Sequence, residues 1–304
     1  MASDRRTFIK GAAAGITAAA FLPAYSLSNT MDSNDTLFFK VSLAQWSLHR
    51  TLKAGEMDNL DFPAVSRERF DIHAVEYVNQ FFPSSSEKYT RELLKRSEDA
   101  GVKNLLIMID GEGDFGELYA PKRSRTVERH YEWVECAKLL GCHSIRVNAR
   151  GNGDPDDVAS ATVESLGRLS EFAKAHDINV LVENHGGLSS NGKWLANVMK
   201  QVNMDNCGTL PDFGNFNIGN GEQYDRYLGV KELMPFAKGV SAKSHDFDED
   251  GNETGTDYAR MLSIVKESAY KGYIGIEYEG NRLSESDGIL ATKELLLKAG
   301  RSIA

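Results

Sequence analysis

The feature that most limits what this chain can fold into is the eightfold alternation of two kinds of segment. Short runs rich in β-branched and apolar residues, of which Leu105-Leu106-Ile107-Met108-Ile109 is the clearest, recur with longer helix-like stretches between them. Strands buried on both faces read this way, and helices are the usual crossovers between parallel strands. Strands are expected near 38–46, 72–78, 103–110, 143–149, 178–184, 207–212, 239–245 and 273–279. Helices are expected over 62–69, 85–100, 123–140, 155–176, 192–203, 222–237, 256–271 and 286–301. Punctuation agrees: Ser85 or Ser86 precedes the second helix, Asp154-Pro155 opens the fourth, and Gly141 and Gly272 follow the third and seventh. Eight βα units predict an α/β fold, a single (β/α)8 TIM barrel. A doubly wound open sheet is the alternative, but no Gly-rich dinucleotide loop follows the first strand.

The barrel is expected to span 36–304, after a segment of another kind over 1–35. Asp4-Arg5-Arg6-Thr7-Phe8-Ile9-Lys10 precedes an apolar run of small residues from Gly11 to Leu22. A twin arginine before a modest apolar stretch reads as a twin-arginine export signal, with cleavage expected after Ser26 and the periplasm as destination. The run falls short of the roughly 20 apolar residues a span needs, so no stable membrane anchor is expected after cleavage. Formal net charge is −9. Loss of residues 1–26 takes away Arg5, Arg6, Lys10 and Asp4, a net +2, bringing −9 to −11. An acidic surface repels phosphate backbones, which argues against nucleic acid. Cys136, Cys142 and Cys207 are odd in number and unlike a zinc framework in spacing.

Four of the later strands end in a side chain able to hold a metal: Glu183, Asp212, His245 and Glu277. In a barrel, the carboxyl ends of the strands form the catalytic rim. Side chains alternate along a strand, so Glu183 and His185 share a face, as do Ser241, Lys243 and His245, and Glu277 and Glu279. Pointing outward they would be buried under helices without partners, at high cost. Pointing inward they form a carboxylate cluster that needs neutralising by protons, by Lys243 or by a divalent cation. Glu76, Asp110 and Glu279 taken singly are weaker candidates. Of the seven histidines, His130 and His176 are expected on helix surfaces, and His73 and His143 at strand starts. His49 falls in the first βα loop, near substrate or simply on the surface.

Five segments carry a family resemblance: Val41-Ser42-Leu43-Ala44-Gln45-Trp46-Ser47, Ala74-Val75-Glu76-Tyr77, Val182-Glu183-Asn184-His185-Gly186-Gly187, Pro211-Asp212-Phe213-Gly214-Asn215 and Ile276-Glu277-Tyr278-Glu279-Gly280. In that order they resemble the xylose-isomerase-like TIM-barrel superfamily, specifically the bacterial sugar phosphate isomerases/epimerases. The resemblance implies a divalent metal, Mn²⁺ first with Mg²⁺, Co²⁺ or Zn²⁺ as alternatives, held by Glu183, Asp212, His245 and Glu277. It also implies a small carbohydrate as substrate and a homodimer. One departure stands out. Relatives end the seventh strand with His-x-(Lys/Asn)-Asp, and alignment on Asp246 puts Lys243 in the histidine's place. Alignment on His245 keeps the ligand, and that is the expectation here. Lys243 then sits nearby as an acid/base residue with a lowered pKa. Relatives also carry a His soon after the sixth-strand Asp, where this chain has Asn215.

The implied chemistry is proton abstraction beside a carbonyl, with Glu183 and Glu277 as the pair that removes and returns the proton. Isomerisation, epimerisation, and the elimination or hydration of a keto-sugar lyase all begin this way. A sugar isomerase or epimerase is the first reading. A lyase/hydratase using the same site is the second, and a sugar-binding barrel with a degenerate site the third. DNA repair, the work of another branch, is disfavoured by charge. Export and the lack of a phosphate-cradling loop favour an unphosphorylated sugar, keto-sugar or glycoside. Gln45, Trp46, Glu76, Arg146, Asn148 and His185 are the expected substrate-binding residues, Trp46 by stacking.

Overall fold

A computed structural model describes residues 37–303. The export signal falls outside the described residues. Within them the eight expected strands are present: Lys40–Ala44, Ala74–Val78, Lys103–Met108, Ser144–Asn148, Asn179–Glu183, Cys207–Leu210, Val240–Ser244 and Tyr273–Tyr278, called here the first to eighth. All neighbours pair in parallel, in the order sixth, fifth, fourth, third, second, first, eighth, seventh. The ring closes between sixth and seventh through the isolated bridges Thr209 to Ala237 and Asp212 to Ser241. Pro211 lies at that seam and has no N–H to donate, so the ladder is thin there. Ser241 N donates to Pro211 O at 2.9 Å, and Phe213 N to Ser241 O at 3.0 Å.

The eight expected helices follow as Phe62–Phe70, Glu87–Asp99, Ala120–Leu139, Pro155–Lys174, Gly192–Val202, Arg226–Leu233, Tyr258–Glu267 and Glu285–Ser302. Asp154 caps the fourth by accepting from the N–H groups of Asp156 and Asp157, with Pro155 at the first position. Ser86 takes the cap position of the second without a side-chain hydrogen bond. After the seventh helix the left-handed residue is Ala269 (φ 62°), not the expected Gly272. Among the elements not foreseen are a short helix at His49–Lys53, several single 3-10 turns and a small antiparallel hairpin, Asn217–Gly219 with Glu222–Gln223.

Apolar side chains split into two bodies. The larger fills the layer between strands and helices. The smaller lies inside the barrel, where Ala44, Val78, Leu106, Met108, Leu181 and Leu210 pack together. Each large member of this plug contributes about 1.5–3 kcal/mol by leaving water. One expectation fails in the outer layer. His130 is not on the surface but 2% exposed, its ring edge-on to Phe115 and its Nδ1 2.7 Å from Thr126 O. Burial pushes its pKa down to about 4, so it is neutral. The helix period alone did not reveal this, because the side of the helix carrying His130 is set by packing.

Candidate active site at the barrel mouth

Above the apolar plug the inward-facing positions turn polar. Glu183, Asp212 and Glu277 are all buried, and one oxygen of each lies within 4.8 Å of the others. Each is held by its neighbours. Asp212 Oδ1 accepts from the N–H groups of Gly214 (2.8 Å) and Asn215 (2.7 Å). Asn184 locks the backbone beneath: Asp212 N donates to Asn184 Oδ1 at 2.8 Å, and Asn184 Nδ2 donates to Asp212 O at 3.0 Å. Asn215 Nδ2 donates to Glu183 Oε1 at 3.0 Å, so the residue standing where relatives carry histidine orients a carboxylate.

Ser241 Oγ lies 2.7 Å from Asp212 Oδ2 and 2.8 Å from Glu277 Oε2. A hydroxyl has one proton, so both contacts are hydrogen bonds only when one carboxyl is itself protonated. The electrostatics agree. Burial, together with the charges of Glu183 and Glu277 and against the pull of Lys243, raises Asp212 to about 7. Burial also lifts Glu183 to about 7, with Arg146 opposing and Glu277 assisting.

Two buried cations face these acids. Lys243 Nζ is 3.0 Å from both Glu277 Oε1 and Glu279 Oε1. Its stem runs against Gly214, where a Cβ would come within 2.7 Å of Lys243 Cγ. Burial alone would lower its pKa, but Glu277, Asp212, Glu279 and Glu183 outweigh burial and hold it well above the ordinary value. Lys243 is thus a fixed positive charge, which corrects the expectation of a lowered pKa. Arg146 Nη1 donates to Asp110 Oδ1 at 2.8 Å, and its Nε lies 2.8 Å from Glu183 Oε2. That second contact is off-axis: neither Arg146 Nε nor Glu183 Oε2 has a hydrogen-bond partner.

His245 does not join the cluster. It is 52% exposed, and its Nε2 is 3.8 Å from Glu279 Oε2. Lys243 pairs in register with Glu277, whereas the strand stops at Ser244, so His245 stands beyond the rim. The expected ligand has the right face and the wrong depth, and the lysine takes the place beside the carboxylates.

The other expected residues divide. Trp46, Arg146 and His185 line a mouth cavity of about 540 Å³, together with His49, Gln80, Asp110, Arg150, Glu277 and Glu279. His185 Nδ1 is 2.8 Å from Arg150 Nη2. A guanidinium only donates, so Nδ1 accepts and the ring proton sits on Nε2. Burial and the charge of Arg146 push His185 down to about 4, which keeps it neutral. His49 stacks on the Trp46 indole, centroids 4.9 Å apart and planes at 14°, so one face of that ring is already taken.

Gln45, Asn148 and Glu76 do not line the mouth. Gln45 is fully buried, its Nε2 donating to Asn59 Oδ1 and its Oε1 accepting from Val78 N. It is buried away from the mouth with both ends of its amide engaged by protein, which corrects its assignment to substrate. Asn148 Nδ2 donates to Asp110 Oδ1 at 2.6 Å, so it positions Asp110. Glu76 lies deeper in the lumen. Ser42 Oγ donates to its Oε1 at 2.6 Å, Oε2 has no partner, and Gly275 leaves the space it fills. Desolvation raises Glu76 to about 7. Gln80, in a single 3-10 turn at Asn79–Phe81, and Arg150, in a loop, were missed because segments this short carry no period to mark a side chain's direction.

Three carboxylates offering oxygen donors, one with an unpartnered oxygen and two sharing a single hydroxyl proton, suit a hard divalent cation. This arrangement defines an α/β barrel with a carboxylate cluster at its catalytic end. The chain belongs to the xylose isomerase-like TIM barrel family, whose pattern matches residues 68–299. It is 38% identical over 66 residues to the C-glycoside deglycosidase alpha subunit of Arthrobacter globiformis, covering 21% of this chain and only 19% of that protein. Among solved structures, L-ribulose 3-epimerase superposes with a TM-score of 0.68 at 15% identity, covering 87% of this chain and 97% of that one. A xylose isomerase-like TIM barrel protein from Mycobacterium smegmatis, in complex with magnesium, gives 0.65 at 15% identity, covering 87% and 97%. At these identities the structural likeness establishes the fold.

Proposed function

We propose that this protein is a sugar isomerase or epimerase that moves a proton on the carbon beside a carbonyl of an unphosphorylated sugar or keto-sugar. The observation that carries the reading is the convergence of Glu183 and Glu277 with Asp212 at the mouth, each backed by a buried cation or hydrogen-bond donor. Glu183, at about 7, is poised to take a proton near neutral pH. Glu277, entering the step protonated, gives its own proton to the opposite face for epimerisation or to the neighbouring carbon for isomerisation, so one carboxyl gains the proton that the other loses. Either way the formula of the sugar is unchanged. Arg146 and Lys243 supply fixed positive charge where the enediolate oxygens gather negative charge. Neutral His185, with its proton on Nε2, is a donor for a sugar hydroxyl. Glu183, Asp212 and Glu277 would hold a divalent metal, Mn²⁺ by family resemblance, and it would supply Lewis-acid polarisation of the carbonyl. The export signal read in the sequence supports a periplasmic location, where unphosphorylated sugars are the available class.

The test is solvent exchange. The protein, with Mn²⁺ or Mg²⁺ supplied, is incubated with ketoses and keto-glycosides in D₂O, and deuterium at the carbon beside the carbonyl is followed by NMR. Exchange is expected in the wild type, with a loss of about 10²–10⁴-fold in Glu183→Gln and Glu277→Gln. Absence of exchange across the panel would overturn the proposal. The local likeness to a C-glycoside deglycosidase subunit favours one rival, a lyase that expels a substituent after the same proton abstraction. Mass spectrometry separates the two, since only the lyase releases a fragment.

A further inference from the structure

Beside the mouth cavity lies a second one of about 500 Å³, lined by Lys53, Met57, Asp58, Phe81 and Pro83 among others. Gln80 lines both cavities. Each has the size of a site for one small ligand, so together they exceed what a single sugar ring needs. The indole of Trp46 neighbours residues of both. It lines the mouth, its centroid is 5.8 Å from that of Phe81, and Lys53 Nζ sits 4.4 Å over its ring.

The junction is held in place. Asn79, next to Gln80, is buried, and its amide clamps the end of the third strand: Nδ2 donates to Asp110 O at 3.0 Å, and Asp110 N donates to Oδ1 at 2.9 Å. Gly111 follows Asp110 at φ 83°, a left-handed conformation that favours glycine. The exposed Gln80 amide makes no hydrogen bond to any described residue, so its donor and acceptor are open beside both cavities. In the second cavity Lys53 and Asp58 cancel in charge, which does not favour an anion. Phe81, Met57 and Pro83 offer apolar surface beside those polar groups. A sugar ring, with a CH face and a rim of hydroxyls, has the matching chemistry.

We infer that the second cavity is a subsite for a second sugar ring, so that the substrate is a glycoside of at least two rings with the reacting ring in the mouth. This rests on the proposed function for the identity of the reacting ring. It fixes which part of the substrate is recognised away from the chemistry, and binding made there lowers KM or orients the reacting carbon.

The test compares fructose with its glucosides turanose, maltulose and isomaltulose, which keep the ketose and attach a second ring at three different positions. Deuterium exchange gives kcat/KM for each. At least one glucoside is expected to exceed fructose by about tenfold or more, the worth of roughly 1.4 kcal/mol. That ratio is expected to fall towards one in Phe81→Ala and in Lys53→Met/Asp58→Asn. Equal kcat/KM for all four sugars, or a ratio untouched by both variants, would overturn the subsite. Should none of the four exchange, the functional reading loses support, and saturation-transfer NMR on the same glucosides decides the subsite by itself. Transfer to the glucose ring that is lost in Phe81→Ala supports it, and no transfer to that ring refutes it.

Discussion

Replacing Glu76 with Gln should stabilise the protein at alkaline pH and do almost nothing at acid pH. Glu76 is 3% exposed inside the barrel, with one oxygen held by Ser42 and the other unpartnered. Desolvation is the main cause that raises its carboxyl from 4.5 to about 7, with Glu277 and Glu183 adding repulsion. The native state therefore binds this proton more tightly than the unfolded chain does. Stability from this group is fully present below about pH 4.5 and is lost as pH rises through about 7. A displacement of about 2.5 units at 1.36 kcal/mol each gives a penalty of about 3 kcal/mol by pH 8. Glutamine mimics the protonated acid, so the variant escapes that penalty. Glu183 and Asp212 titrate in the same direction and are present in both proteins, so only the part of their titration that the Glu76 charge itself shifts enters the difference. Melting temperatures in EDTA at pH 4.5 and 8 provide the assay. The gain at pH 8 should be about 6–12 °C at roughly 2–4 °C per kcal/mol, and near zero at pH 4.5. Equal shifts at both pH values, or a loss at pH 8, would refute the desolvation argument.

Lys243→Met leaves Glu277 and Glu279 without their buried cation, a change that costs about 3–5 kcal/mol. Melting in EDTA should fall accordingly and be largely restored by Mn²⁺ or Mg²⁺, and a drop under about 2 °C, or no rescue, would count against the pairing. Gly275→Ala would press a methyl to 2.6 Å from Glu76 Oε1. Overpacking of this kind costs about 1–3 kcal/mol, and the cost should shrink when Glu76→Ala is added, which a double-mutant cycle in urea measures.

The eight strands lay within the ranges expected from sequence because strands buried on both faces carry an apolar, β-branched signature that survives without context. Asp154-Pro155 similarly announced its helix through local capping chemistry. Glu183, Asp212 and Glu277 formed one set before any coordinates because each ends a strand of its βα unit, and period two aligned Glu183 with His185 and Glu277 with Glu279 on inward faces. Depth was not legible. Lys243 and His245 share a face, and only the stagger between the seventh and eighth strands sets Lys243 against Glu277 and leaves His245 past the rim. Gln45 could not be told from a substrate ligand either, since Asn59 and Val78 claim its amide from distant segments. The sequence by itself determined the barrel, the orientation of its strands and the acidic character of its mouth, because these follow from local periodicity and composition. Tertiary structure alone decided which cation faces the carboxylates, how far each is desolvated and where the cavities open. Those properties depend on distances between strands and loops far apart in the chain, and no local pattern encodes them.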